Sequence, residues 1–257
     1  IEDRNELSEK IIKSKKPIII IGQSVLKLKS GQYIFEELKN FLNKNKKISN
    51  EWNSLNILSN DASTVGSYDL TIFSSNNGRN ILLEKLKENS IDLLFLLGQD
   101  KLSIQKKGLF VVYIGSHGDE GAKNSDLILP GSAFTEQDGY YTNLEGKIQK
   151  AYKASYPPGE AKEDWQIIND LAELMNNRKL FNDKEELESS MFNYLKLKKE
   201  KQNSDLTKLI KQNNFENENL NIKFKDYYFS NVIARSSKTM LDCNNSKIDI
   251  KKTGTEG

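Results

Sequence analysis

Four stretches of this chain place apolar residues at consecutive rather than alternate positions: residues 17–22 (PIIIIG), 91–98 (IDLLFLLG), 109–115 (LFVVYIG) and 126–129 (DLIL). A strand wetted on one face alternates apolar and polar side chains, whereas a strand covered on both faces does not. The four stretches therefore read as interior strands. From Gly31 onward Ile34, Phe35, Leu38, Phe41 and Leu42 fall at helical spacing and predict a helix with one stripe against that sheet. Residues 52–66 read as a short helix followed by loop, and residues 81–88 as another short helix. Strands alternating with helices predict an α/β fold with a mainly parallel sheet and flanking helices.

The fourth strand is stopped by Pro130-Gly131, because proline lacks the donor that a central strand needs. A polar crossing follows, and then an antiparallel hairpin from Tyr140 to Ile148 with Glu145-Gly146 near its turn. Loops that leave a sheet at the C-terminal ends of its strands are where open α/β folds place ligands. After Pro157-Pro158-Gly159 a helix opens near Ala161, with Trp165, Ile168, Leu171, Ala172 and Met175 on one face. That helix closes a predicted domain of residues 1–175. Residues 176–225 read as a connection, with an amphipathic helix over 183–201 and then a mobile Lys/Asn-rich segment. Residues 226–257 read as a helical docking tail, capped at Ser230, which is too small to hold a core of its own. The first sixteen residues read as a frayed helix.

Composition narrows the chemistry. With 37% hydrophobic residues and a mean hydropathy of −0.64, a core must be concentrated in part of the 257 residues. The formal charge is +2, from 38 Lys and Arg against 36 Asp and Glu, so nothing points to nucleic acid. The chain has one cysteine, Cys243, and one histidine, His117. A structural zinc site or an iron-sulfur cluster takes about four such ligands, so these two residues cannot build either. A single thiol also rules out a disulfide framework within the chain, and no apolar run approaches the ~18 residues of a membrane span. The chain opens on Ile1 rather than Met, which leads us to expect an upstream segment.

Three constellations invite chemistry and have simpler readings. The turn over residues 115–121 (GSHGDEG) follows a strand, and glycine turns can cradle phosphate. Its glycines are spaced three and three, no helix of apolar periodicity follows, and Asp119 and Glu120 would repel an anion, so a tight packed turn is the preferred reading. His117 with Asp119 resembles half of an acid-base pair, yet no nucleophile accompanies it, and a hydrogen-bonded structural histidine is preferred. Glu136, Asp138 and Glu145 flank the hairpin and read as solvated turn carboxylates before they read as a catalytic pair. Arg79, Arg178 and Arg235 look scattered.

Taken together, DLILPGSAFTEQDGYYTNLEGKIQ, PPGEAKEDWQIINDLAE, IDLLFLLG, GSHGDEGAKNSD, WNSLNILSNDASTVGSYDL, DYYFSNVIARSSKTMLDC and the terminal Thr255-Glu256-Gly257 resemble one family. It is the C-terminal part of the large iron-sulfur subunit of mitochondrial NADH:ubiquinone oxidoreductase, respiratory complex I, within the molybdopterin oxidoreductase superfamily. The resemblance runs from about Pro17 to Met175 and again from about Asp226 to the end. It implies a fold kept without the molybdenum cofactor and serving as a noncatalytic scaffold in the matrix arm, with Pro130, Gly131, Glu136, Asn143 and Glu145 as remnants of a pterin site. It further implies no cofactor and no metal in this chain, with iron-sulfur clusters held by a missing or separate N-terminal half. The implied partners are that half and the other matrix-arm subunits, on the matrix side of the mitochondrial inner membrane. Lys147 departs from the arginine often found there, which replaces a bidentate fork with a point charge. Two other readings stay open: a molybdopterin-binding domain of a multidomain dehydrogenase, and a nucleotide-binding module that dinucleotides would stabilise thermally.

Overall fold

A computed structural model describes residues 5–49, 51–62, 64–70, 84–102, 104, 108–202, 215–217 and 226–252. The chain divides into two compact units that are discontinuous in sequence. The first comprises residues 1–72, 141–149 and 185–222, and the second 73–140, 150–184 and 223–257.

The first unit opens with α1 (Glu6–Lys13), a well-capped helix rather than a frayed one. Asn5 accepts from the Ser8 amide while Ser8 Oγ accepts from the Asn5 amide. Strand β1 (Ile19–Gly22) leads through the short α2 (Gln23–Leu26) into α3 (Gly31–Lys44). A Cβ at Gly31 would stand 2.6 Å from the Leu26 carbonyl oxygen, so only glycine lets α3 start this close to the preceding turn. The stripe expected on α3 packs as the spacing requires: Leu42 is fully buried beside Ile21 and Leu55, with Phe35, Leu38 and Phe41 around them. The helix expected at the start of residues 52–66 is instead strand β2 (Leu55–Leu58), parallel to β1 with Ile19 opposite Leu55. Four residues carry too little pattern to separate the two states, and here pairing decides: the Ile19 amide donates to Ser54 O at 2.7 Å, and Trp52 Nε1 donates to Pro17 O at 3.1 Å. The stretch read as loop contains α4 (Thr64–Asp69).

The second unit holds a parallel sheet in the order β3 (Leu93–Leu97), β4 (Phe110–Gly115), β5 (Leu127–Pro130). The predicted parallel pairing is present, divided between this sheet and the β1-β2 pair. Of the predicted helix at residues 81–88, residues 84–87 are helical, and Leu86 packs on the core of Leu96, Leu109, Val111 and Tyr113; residues 81–83 lie outside the described set. A single turn, α5 (Glu120–Lys123), capped by Asp119, does follow the glycine turn, although it lacks the length for apolar periodicity. Pro130 pairs with Gly115 as the last residue of β5, which an edge strand allows because its outer side needs no donor.

The crossing then runs into the antiparallel hairpin β6 (Gly139–Thr142) and β7 (Ile148–Ala151). Helix α6 (Asp164–Asn176) starts three residues later than expected, with Glu163 as its N-cap, and its buried face is rotated from the one expected. Ile167 and Ala172 point inward, Ile167 against Val112 and Ile114, while Ile168 and Met175 are exposed. Asn169 fixes that rotation: its Oδ1 accepts from the Leu180 and Phe181 amides and its Nδ2 donates to Phe181 O. Helix α7 (Lys184–Gln202) follows, with Leu195 buried and Tyr194 exposed. Most of the segment expected to be a mobile connection lies outside the described residues. The tail is capped by Asn231, not Ser230, and breaks at Ser237 into α8 (Val232–Ser236) and α9 (Lys238–Lys252).

Candidate functional site

The residues with the richest chemistry gather where β3, β4 and β5 end. Within β4, Tyr113 is almost completely buried; its hydroxyl donates to Asp100 Oδ1 at 2.5 Å, just past β3, and lies 3.0 Å from the His117 carbonyl oxygen. Burial, and then the hydrogen bond to Asp100, raises the Tyr113 pKa far above its ordinary value, so it stays a phenol. From the tail, Arg235 enters the same place. Its Nε donates to Asp119 Oδ2 at 2.7 Å, and its second terminal nitrogen stands 3.6 Å from Asp100. Asp119 Oδ1 accepts from the Glu120 amide. Burial opposes the Asp119 charge, but Arg235, the Glu120 amide and Lys123 outweigh it and hold its carboxyl below the usual range.

That shift has a sign. A carboxyl depressed on folding contributes stability that is fully present above its unfolded pKa of about 3.9 and is lost as pH falls through the folded value. Urea midpoints measured across the acid limb are expected to fall with pH in the native chain and to fall less steeply in Arg235→Ala, with trypsin cutting the tail faster in that variant.

A second polar cluster surrounds the crossing. Glu163 is nearly buried, and its Oε2 accepts from Lys184 Nζ at 2.5 Å and from Trp165 Nε1 at 3.0 Å, while Lys153 Nζ stands 3.4 Å from Oε1. Asp138 joins it, accepting from the Lys153 amide at 2.7 Å with Lys184 Nζ 3.9 Å away. The Lys153 amide, followed by the nearby lysines, keeps the Asp138 carboxyl below its ordinary range against the pull of burial. Asp164 goes the other way: burial raises it, its hydrogen bond to Gln137 opposes this, and neighbouring Glu163 adds to the rise. Glu163, Lys153 and Lys184 were invisible as a set in the sequence, because they are brought together from the end of a hairpin and the starts of two helices.

The sequence-derived candidates are placed as follows. The Pro130 carbonyl accepts from the Lys162 amide. Gly131 is buried, its amide donates to Gly115 O at 3.0 Å, and a Cβ there would meet Asp164 Oδ1 at 3.0 Å and Gly115 N at 3.2 Å. Glu136 spends one carboxylate oxygen on the Ala133 amide at 2.9 Å. Asn143 builds the hairpin turn, its Oδ1 accepting from the Glu145 and Lys147 amides at 3.0 and 2.9 Å, with Gly146 at φ +80°. Glu145 is exposed there, 3.4 Å from Asn143 Nδ2. Asn143 and Glu145 belong to the first unit, and Pro130, Gly131 and Glu136 to the second. His117 Nδ1 pairs with Ser116 Oγ at 2.8 Å. Cys243 is exposed on α9, and Arg79 lies outside the described residues. Among the described residues no three His, Cys, Asp or Glu side chains converge as metal ligands. A pterin would need donors and acceptors facing it; one Glu136 oxygen and Asn143 Oδ1 are engaged within the chain's own turns, whereas the buried Ser132 hydroxyl has no partner among the described residues.

Sequence comparison places this geometry. The family model for molybdopterin oxidoreductase matches residues 1–174. The chain belongs to the molybdopterin oxidoreductase family. A second model, for the C-terminal region of a NADH-ubiquinone oxidoreductase subunit, matches residues 186–243 and thus includes Arg235. The NADH-ubiquinone oxidoreductase 75 kDa subunit of Reclinomonas americana is 37% identical over 94% of this chain and 36% of its own length. The mitochondrial 78 kDa subunit of Candida albicans is 35% identical, over 93% of this chain and 34% of its own. A NADH-quinone oxidoreductase subunit of Rickettsia bellii is 34% identical, over 98% and 36%. This molybdopterin oxidoreductase family member thus spans about a third of the length of these relatives. No helix among its described residues is long and apolar enough to cross a membrane.

Proposed function

We propose that this chain is a noncatalytic, cofactor-free scaffold domain of the large iron-sulfur subunit of NADH:ubiquinone oxidoreductase, on the matrix side of the mitochondrial inner membrane. It carries no electrons itself and offers packing surface to the cluster-bearing part of the same subunit and to other matrix-arm subunits. The observation that carries this reading is Arg235. It comes from the segment matched by the second family model, and its guanidinium sits at the C-terminal ends of β3 and β4, where open α/β sheets take their ligands. A side chain of the chain's own tail is the resident there.

Iron, acid-labile sulfide, molybdenum and pterin measured on the purified chain test it, together with native electrophoresis of the respiratory membranes. The expected result is none of the four bound to the chain, which migrates with NADH dehydrogenase activity. Stoichiometric cluster or pterin in the chain contradicts the proposal. One observation favours the second reading, a pterin-binding domain: next to Gly131, the buried hydroxyl of Ser132 has no hydrogen-bond partner among the described residues. Pterin released from the native assembly and assigned to this chain would decide for it.

A further inference from the structure

Asp119 and Glu120 make the glycine turn after β4 a poor cradle for an anion, and the same chemistry makes it a cradle for a cation. Every part of that cradle lies within the second unit. A Cβ at Gly115 would overlap the Tyr113 hydroxyl, and one at Gly121 would overlap Gln99 O and press on the Tyr113 ring at 3.2 Å. Glycine at both positions lets the ring lie across the turn and carry its hydroxyl to Asp100. There the phenol donates to Asp100 Oδ1, while Oδ2 stands 3.6 Å from a terminal nitrogen of Arg235. Asp119 is divided in the same way. The Glu120 amide donates to its Oδ1 at 2.9 Å, and its Oδ2 accepts from Arg235 Nε at 2.7 Å. Each carboxylate thus has one oxygen held by the body of the unit and turns the other to the same guanidinium. The side chains of Arg235, Asp100 and Asp119 are 17%, 17% and 21% exposed, so water competes little for these contacts. Lys123, the nearest lysine along the chain, pairs with Glu120 at 2.6 Å.

We propose that Asp100 and Asp119, held by the Tyr113 hydroxyl and the Glu120 amide, form a guanidinium-selective binding site, and that the tail is its tethered ligand through Arg235. Two oxygens on separate loops meet two nitrogens of one planar fork. An ammonium is a point charge and cannot span both with the same geometry. Helix α8 buries no residue of its own, so its hold on the unit rests on this contact. The site deepens the proposed function, in which Arg235 is the resident at these strand ends, and needs no assembled partner to form. Tyr113 and the Glu120 amide are positioning groups, and the glycines of the turn are there to admit the tyrosine ring.

The test uses the full chain with Arg235→Lys and Arg235→Ala. Amide hydrogen exchange at Ala234, Ser237 and Leu241 is expected to quicken about tenfold or more in both variants, the scale of one hydrogen bond between charged groups, while Val112 and Ile114 of β4 keep their native rates. Ethylguanidinium carries the atoms that Arg235→Ala removes. It is expected to raise the melting temperature of that variant saturably, whereas propylammonium does not, and the native chain, its site filled, responds to neither. Native exchange rates in Arg235→Lys overturn the proposal, as does an equal response of Arg235→Ala to the two cations or a response to neither. If Arg235→Ala does not fold, Arg235→Lys, which keeps the charge and most of the stem, decides alone. The proposed function fails separately, through cluster or pterin bound to the chain, and these exchange rates then still report on the site.

Discussion

Glu163→Ala lowers the unfolding free energy of the second unit by about 3 kcal/mol, the scale measured when one member of a buried ion pair is removed. Glu163 is the common acceptor for Lys184, Trp165 and Lys153, and its own amide donates to Gln166 Oε1 at 3.1 Å at the start of α6. Alanine leaves the Lys184 ammonium facing only Asp138, with Nζ 3.3 Å from the Asp138 carbonyl and 3.9 Å from its carboxylate. The amide of Glu163→Gln can still accept from Trp165, so that variant is expected to lose a smaller share. Chemical denaturation of the two variants beside the native chain checks this. Equal stability of Glu163→Ala and the native chain would mean that the cluster contributes nothing.

Leu42→Ala, in the first unit, costs about 2–5 kcal/mol, the range for deleting a wholly buried leucine side chain. Leu42 is 0% exposed and sits between Ile21 of β1 and Leu55 of β2, with Phe35, Leu38 and Phe41 of its own helix alongside. Those neighbours belong to a helix and a two-stranded sheet that pack through this one cluster, so little other apolar contact can compensate. Amide hydrogen exchange is expected to accelerate at Ile19, Ile21 and Leu55, whereas Leu42→Met, which nearly conserves volume, stays close to the native rates. Unaltered exchange in Leu42→Ala would show that α3 does not hold this sheet.

The hairpin and the helix stripe were readable from the residues because their causes are local. Asn143 binds amides two and four positions ahead, and the periodicity of α3 is written in fourteen consecutive residues. The β2 strand was missed because Leu55 is selected by its partner Ile19, 36 positions away, and not by its neighbours. The same limit hid Arg235, which looked scattered until folding set it against Asp119, 116 positions upstream. Continuous apolar strands correctly announced parallel pairing. They could not announce how far each face is covered: Val112 and Ile114 of β4 are buried, while Leu93, Phe95 and Ile20 stay 50%, 42% and 63% exposed.

By itself, then, the amino-acid order determined the α/β class, the parallel strands and the hairpin after Pro130, since each is set by short-range sterics or periodicity, and its motifs carried the resemblance to molybdopterin oxidoreductases. Only the tertiary structure decided how the strands divide into two sheets, which helix face turns inward, and that a tail arginine occupies the ends of β3 and β4. Those outcomes depend on contacts between residues far apart along the chain, where burial and charge pairing are settled jointly and no local window contains both partners.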